Sequence, residues 1–341
     1  RLLEAGERLQ PGVLQRWWNE PLFTAANVPY RIASYADTVR DPYDTNHFDE
    51  DSEASITALE KEMGTDARLV LAGEDVHHVT MAEKLLTLLL AKLVSFVPGA
   101  GIWMNTQRPE WNDANNALAG KGVSVVTAAY LRRFVAYWRS QLEGSDVTDF
   151  PVSAPVAALA ESVAGALVDA QGQLAADIEP RARRATMDRL GEAGTRFRDA
   201  VYEGPTTDRT TVSKTSLVAL LDVATAHLDH ALRARRRDDG LAHAYDVLVM
   251  EGDEARIESL DPMLEGQVAM LSAGTLTPDE ALEVLRALRE SALYWPAQNT
   301  YLLYPNKDLP GFLQKNRFPL ARVASSPLES ATSPELAARC P

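Results

Sequence analysis

Carboxylic acids, flat aromatic faces and amides gathered within a few positions suit one kind of chemistry: holding a polyol and protonating one of its oxygens. Residues 107–116, QRPEWNDANN, have this composition. The indole of Trp111 offers an apolar surface for the C–H face of a sugar ring. The amides of Asn112, Asn115 and Asn116 and the guanidinium of Arg108 offer paired hydrogen bonds to adjacent hydroxyls. Glycosidic cleavage also needs a carboxylic acid to protonate the leaving oxygen, and Asp113 and Glu110 are the two candidates. Glu110 could raise the pKa of Asp113 by like-charge repulsion and keep it protonated, or it could simply pair with Arg108. The segment lies in a long connection, residues 99–123, that also carries Trp103 as a further stacking surface. Connections of that length inside compact domains are usually functional or disordered, and this composition is the wrong one for a floppy linker.

Each of these residues also has a plainer reading. Asp113 could cap a turn, the asparagines could satisfy loop backbone, and Trp111 and Trp103 could be core. Gly120-Lys121-Gly122 has the look of a phosphate nest, although a turn into the next helix explains it as well. Trp17-Trp18 reads as half core and half surface. Arg31 and Asp37 stand in a tyrosine-rich stretch and could clamp a sugar ring. The acidic run 41–53 lacks the spacing of a calcium loop. The pairs His77/His78 and His227/His230 show no metal-binding pattern, so no metal is expected. Arg235-Arg236-Arg237 reads as a helix C-terminus whose cations favour the dipole.

The elements that must position the loop are read as helices. Thr80-Met81-Ala82-Glu83 has the capping-box pattern, and the leucines after it predict a helix buried on nearly every side up to Pro98-Gly99. Further helices are predicted over about 124–142, 155–176, 180–202, 213–236, 242–252 and 261–272, with another opening at Thr277-Pro278-Asp279-Glu280. Strand signals are few, the best being 69–72. The expected fold class is therefore all-α, with helical hairpins packed on one another. The first 75 residues read as a less regular segment packing on this core, 76–319 as the helical catalytic core, and 320–341 as a loose tail.

Composition narrows the partners. The 341 residues are 46% hydrophobic and 24% charged, with 34 Lys and Arg against 48 Asp and Glu, a net charge of −14. That surface repels phosphate backbones and anionic lipid, so neither nucleic acid nor a membrane is expected as partner. Neutral sugars meet no such penalty. The single cysteine, Cys340, excludes a disulfide framework. The most apolar run, 85–97, is short of the roughly 20 residues that span a bilayer. The expected location is cytoplasmic, or secreted if a leader has been removed.

Glu110-Trp111-Asn112-Asp113-Ala114-Asn115-Asn116 resembles the D-W-N-D-x-x-N segment of the inverting cellobiose and chitobiose phosphorylases, whose catalytic domain is an (α/α)6 barrel. The stretches 263–269 (MLEGQVA) and 301–305 (YLLYP) look like parts of large uncharacterised bacterial proteins that carry the same loop. The resemblance implies a six-hairpin glycosidase-like toroid, whole or in part, with the motif between an inner and an outer helix. It makes Asp113 the general acid and Trp111 a wall of the subsite beside the scissile bond. Two departures stand out: Glu110 replaces the family's first Asp, and the family's phosphate-holding segment has no counterpart. The nucleophile is therefore either phosphate or an activated water. Water needs a second carboxylate about 6.5–9.5 Å from the acid, for which Glu265 is the first candidate and Asp308 the second. The expected substrate is an oligosaccharide or disaccharide, with inorganic phosphate in the phosphorolytic case and no organic cofactor. The alternative is a carbohydrate-binding or scaffolding protein on the same toroid, without catalysis.

Overall fold

Helical periodicity becomes helix almost wherever the sequence shows it. In the computed structural model, which describes residues 2–64, 68–105, 118–206, 208–307 and 309–315, helices span Met81–Leu93, Val125–Glu143, Ala154–Asp169, Pro180–Tyr202, Lys214–Ala234, Leu264–Ala273 and Pro278–Glu290. Thr80, Ser124, Ser213 and Thr277 each accept an N3 amide at a helix start, which satisfies a donor the helix itself leaves unpaired. At Thr277 the capping box is complete. At Thr80 only half of it forms: the Glu83 carboxylate turns away to accept from Ser153 N at 3.1 Å and to pair with the Arg209 guanidinium. The predicted cap is thus a tie between the helix and the strand pair Asp149–Ser153 and Arg209–Ser213.

An all-α (α/α)6 toroid is not the fold. The strands Phe96–Val97, Gly101–Trp103, Gly122–Ser124, Tyr245–Glu251 and Glu254–Ser259 form a five-stranded antiparallel sheet, so the architecture is mixed α/β. Its longest hairpin replaces the helix expected over 242–252. There Tyr245-Asp246-Val247-Leu248-Val249-Met250 places alternating residues on opposite faces around β-branched valines, and Glu251 faces Glu254 across a tight turn at Gly252. The leucine-rich helix also ends sooner than expected, at Leu93. The residue before a proline is driven to extended backbone, and Phe96–Val97 ahead of Pro98 become the edge strand. Three-residue strands such as Gly101–Trp103 are too short to show a period of their own.

Alternation sorts the sheet's side chains between two cores. On one face Ile102 joins the main core, built from the helices Met81–Leu93, Val125–Glu143, Ala154–Asp169 and Lys214–Ala234. Trp18 is buried there, stacked on Trp138 at 6.4 Å and edge-on to Phe150 at 6.3 Å. Trp17 is half-buried against Phe23, as a tandem pair split between core and surface should be. On the other face Trp103, Val123, Leu248 and Ala255 pack with Met187 of the helix Pro180–Tyr202 and with Tyr35. Gly191 of that helix lets the Tyr35 ring in: a Cβ there would lie 2.0 Å from the Tyr35 Cδ2.

Arg183, near the start of the same helix, is buried against the sheet. Its guanidinium donates to Pro98 O (2.8 Å), Ala255 O (2.8 Å) and Ile178 O (3.0 Å). It therefore joins the Pro98 turn, the second strand of the long hairpin and the entry to the helix. Burial lowers its pKa, yet a guanidinium starts far enough above neutrality to stay charged.

Residues 1–304 make one compact unit, which includes the first 75 residues. Residues 305–341 make a second, in which the described part holds the short helix Phe312–Lys315. Among the described residues no helix is long and apolar enough to cross a membrane.

Two outcomes follow from the buried polar groups. Arg183→Met keeps most of the aliphatic stem but leaves three carbonyls without their donor. It should lower the unfolding free energy in urea by about 2–4 kcal/mol, and an unchanged midpoint would refute the tie. His227 is 2% exposed, with Nε2 donating to Leu167 O at 2.8 Å, and burial holds its pKa below the ordinary histidine value. The unfolded chain takes up a proton near pH 6.5 while the folded chain does not. Stability should therefore decline as pH falls from about 6.5 toward the lowered folded value. His77 and His243 are shifted the same way by burial and add to the decline. Unfolding free energies at several pH values should show a shallower slope in His227→Gln than in the parent.

Candidate functional site

The loop that carries the candidate chemistry leaves one strand of the sheet and returns to the next. Arg108, Glu110, Trp111, Asn112, Asp113 and Asn116 lie outside the described residues, as does Asp308. The flanking residues form a closed stem. Ile102 faces Ser124 and Trp103 faces Val123 in the ladder. Beyond it Met104 N donates to Gly122 O, and Gly120 N donates to Met104 O, both at 2.8 Å. Trp103 N donates to Ser95 O at 2.8 Å, and the Asn105 side-chain amide donates to the Ser95 hydroxyl at 3.2 Å. Each of residues 103–105 is thus anchored by at least one hydrogen bond.

Trp103 is 3% exposed. Its indole N–H donates to Gly120 O at 2.9 Å and its ring packs edge-on against Tyr35 at 6.3 Å. The side chain expected to stack on a sugar instead clamps the return strand from within the core. Tyr35 is itself fixed, donating to Asp188 at 2.7 Å, while Arg184 pairs with the same carboxylate at 2.6 Å. Burial and the Asp188 carboxylate both push the Tyr35 phenol upward, so it stays neutral.

Gly120-Lys121-Gly122 is a turn and the start of a strand. The amides of Gly120 and Lys121 already serve Met104 O and Leu118 O, so they are not turned toward an anion. Gly120 has φ +89°, and a Cβ there would come 2.5 Å from Pro42 O. Only glycine lets the return strand pass beneath the 41–44 turn. The sequence displays these glycines, but their task of closing the stem depends on Pro42, far away in the chain.

Glu265 lies in the first turn of the helix Leu264–Ala273 and is half-buried. It accepts from the Tyr245 hydroxyl at 2.6 Å. Tyr245 stands opposite Ser124, at the end of that strand opposite to the one the loop adjoins. Tyr245 also shares the face of Ile102, whereas Trp103 is on the other face. The structure therefore does not bring Trp103 and Glu265 together, although the sequence reading places both in one site.

The remaining candidates have local duties. Arg31 pairs with Asp49 at 2.9 Å and lies over the Tyr202 ring at 4.8 Å. Asp37 accepts from Ser34 and pairs with Arg40, so Arg31 and Asp37 do not form a clamp. In the acidic run Asp49 caps the helix Glu50–Met63. His230 Nε2 meets Ala176 O at 3.1 Å, and like His227 it ties its helix to backbone. Arg235 caps the end of the helix Lys214–Ala234 and approaches the buried Asp246 at 3.5 Å. Burial pushes the Asp246 carboxyl upward. Among the described residues no group of three or more His, Cys, Asp or Glu could hold a metal ion.

Compared with known protein families and with curated protein sequences, the chain matches none. The geometry of the stem and the residue types of the loop are thus the basis for a functional reading.

The stem can be tested by a matched pair of substitutions. Gly120→Ala should cost about 1–3 kcal/mol from its backbone conformation alone, with the approach to Pro42 O adding to this. Gly144→Ala, at φ −84° with open space around the added methyl, should be neutral or stabilising by up to about 1 kcal/mol. Equal effects in chemical denaturation would show that the stem is not closed in this way.

Proposed function

We propose that this chain cleaves a glycosidic bond with inversion through the loop 107–116, with Asp113 donating the proton to the leaving oxygen. The observation that carries the reading is the spacing within Glu110-Trp111-Asn112-Asp113-Ala114-Asn115-Asn116. It sets an acid two residues from an indole and surrounds both with amides. The stem lends support because its hydrogen bonds fix Met104 and Gly120 side by side, and a rigid frame is what a positioned acid requires. The toroid of the phosphorylases that the motif resembles forms no part of the proposal.

Asp113 must be protonated before it can act. Like-charge repulsion by the Glu110 carboxylate, three positions away in the sequence, is the source proposed for the raised pKa this needs. Trp111 excludes water and stacks on the ring, Asn112 and Asn116 bond its hydroxyls, and a net charge of −14 favours a neutral substrate. The nucleophile is phosphate or water. Glu265, bonded to Tyr245, is the carboxylate proposed as base in the second case.

The test is a screen of disaccharides and oligosaccharides with and without inorganic phosphate, run on the parent and on Asp113→Asn. The parent should turn over at least one substrate, and the variant should lose about 10²–10⁴-fold in kcat/KM while keeping its circular dichroism. Sugar phosphate formed only when phosphate is present assigns phosphorolysis, and free reducing sugar without it assigns hydrolysis. Sugar binding that survives Asp113→Asn, with no turnover by the parent, would replace the enzyme reading by a binding protein. Neither turnover nor binding would sink both.

A further inference from the structure

Away from the loop stem, a cavity of about 870 Å³ opens between residues 24–32 and 69–79, the helix Glu50–Met63 and the last turns of the helix Pro180–Tyr202. Such a volume lies within the roughly 300–1,000 Å³ typical of small-molecule sites. Its walls are apolar, formed by Ile56, Leu59, Val70, Val156, Phe197 and Val201. The charged side chains along it, Arg31 and Lys84 against Glu62 and Glu83, cancel in sum. Arg31 pairs with Asp49, the Lys84 ammonium donates to Thr24 O, and Glu83 holds Arg209 and Ser153 N; Glu62 is exposed to solvent.

Two polar side chains lining this cavity, the Ser153 hydroxyl and the His77 ring, find no hydrogen-bond partner among the described residues. Ser153 is only 8% exposed. Both flank the same buried ion pair. Ser153 stands opposite Arg209 in the strand ladder and donates its amide to Glu83, and Arg209 also donates to the carbonyl of His78, next to His77. A hydroxyl and an imidazole that open to the cavity without a protein partner can be met by a ligand's polar head as well as by water.

We propose that this cavity binds a neutral amphiphile, an alkyl or aryl body with one hydroxyl or carbonyl head that meets Ser153 and His77. Lining charges that cancel in sum give no net field to select an ion. Walls that are mostly apolar would strip a sugar of more hydration than they return, so the site is unlike the loop and independent of its proposed activity. Burial and the neighbouring Arg209 hold the His77 ring uncharged near neutral pH, where it can donate or accept according to its tautomer.

The neutral fluorophore N-phenyl-1-naphthylamine, titrated into the full chain, tests this. Its emission should rise saturably with one site per chain. 1-Decanol and 2-decanone should displace it at least about tenfold better than decanoate, a difference of about 1.4 kcal/mol. Ala200→Trp, which builds an indole into the cavity, should weaken probe binding about tenfold or more, and Leu59→Trp on the opposite wall serves if the first variant does not fold. Ser153→Ala with His77→Phe should weaken displacement by decanol while leaving the probe's own binding in place. Absence of saturable emission overturns the proposal. So does equal competition by decanoate, or binding indifferent to both tryptophan substitutions.

Discussion

A buried guanidinium that is bonded to three backbone carbonyls and, among the described residues, to no carboxylate ties the sheet to the helix Pro180–Tyr202. Arg183 gives three of its N–H groups to the carbonyls of Pro98, Ala255 and Ile178. Taking a cation out of water is expensive, and carbonyl dipoles arranged around its planar fork of donors, with the charges of Asp177 and Glu179 nearby, offset that expense here. Those carbonyls belong to the turn between the edge strand Phe96–Val97 and its neighbour Gly101–Trp103, to the long hairpin, and to the approach to the helix Pro180–Tyr202. Fixing them relative to one another sets how the helix lies on the sheet. Four residues on, Met187 joins the same core as Trp103, and four more bring Gly191 against the Tyr35 ring. The loop stem is thus braced by a chain of contacts that starts from one charge.

That bracing explains why the stem is rigid while the residues around it do no visible chemistry. Trp103, Tyr35, Asp188 and Arg184 are all engaged with one another or with backbone. They form a support for the segment on which the proposed chemistry rests. The cavity lined in part by residues 24–32 has the opposite character, with mostly apolar walls, charges that cancel in sum, and a hydroxyl and an imidazole without a protein partner among the described residues. One chain therefore presents two unlike surfaces, an amide- and acid-rich loop and an apolar pocket. Both abut the helix Pro180–Tyr202, the loop stem through Tyr35 and Trp103 and the pocket through Phe197 and Val201.

The candidate site is read in one dimension because it is placed in ten consecutive residues, which lie outside the described ones. Spacing alone shows an acid, an indole and amides at Glu110, Trp111, Asp113 and Asn116. Helix starts were legible for the same reason: a cap hydroxyl and its N3 amide are three residues apart, so Thr80, Ser124, Ser213 and Thr277 could be recognised without a fold. Membership of Glu265 or Trp103 in a site was not legible. Consecutive strand residues face opposite ways, and only the register that sets Tyr245 against Ser124 and Trp103 against Val123 decides which side each occupies.

The sequence by itself determined the local energetics: where helices begin, which faces are apolar, and which segment carries acids beside an aromatic. Tertiary structure alone decided that 242–252 is a strand, that Phe96–Val97 leaves its helix, and that five short strands replace a ring of helical hairpins. Strands of two or three residues gain their stability from partners that lie up to 125 positions away in the chain, as Val247 does from Gly122. Such pairing leaves no period in the residues themselves. Helical bonds reach four residues and are written locally, whereas a sheet exists only once distant segments have met.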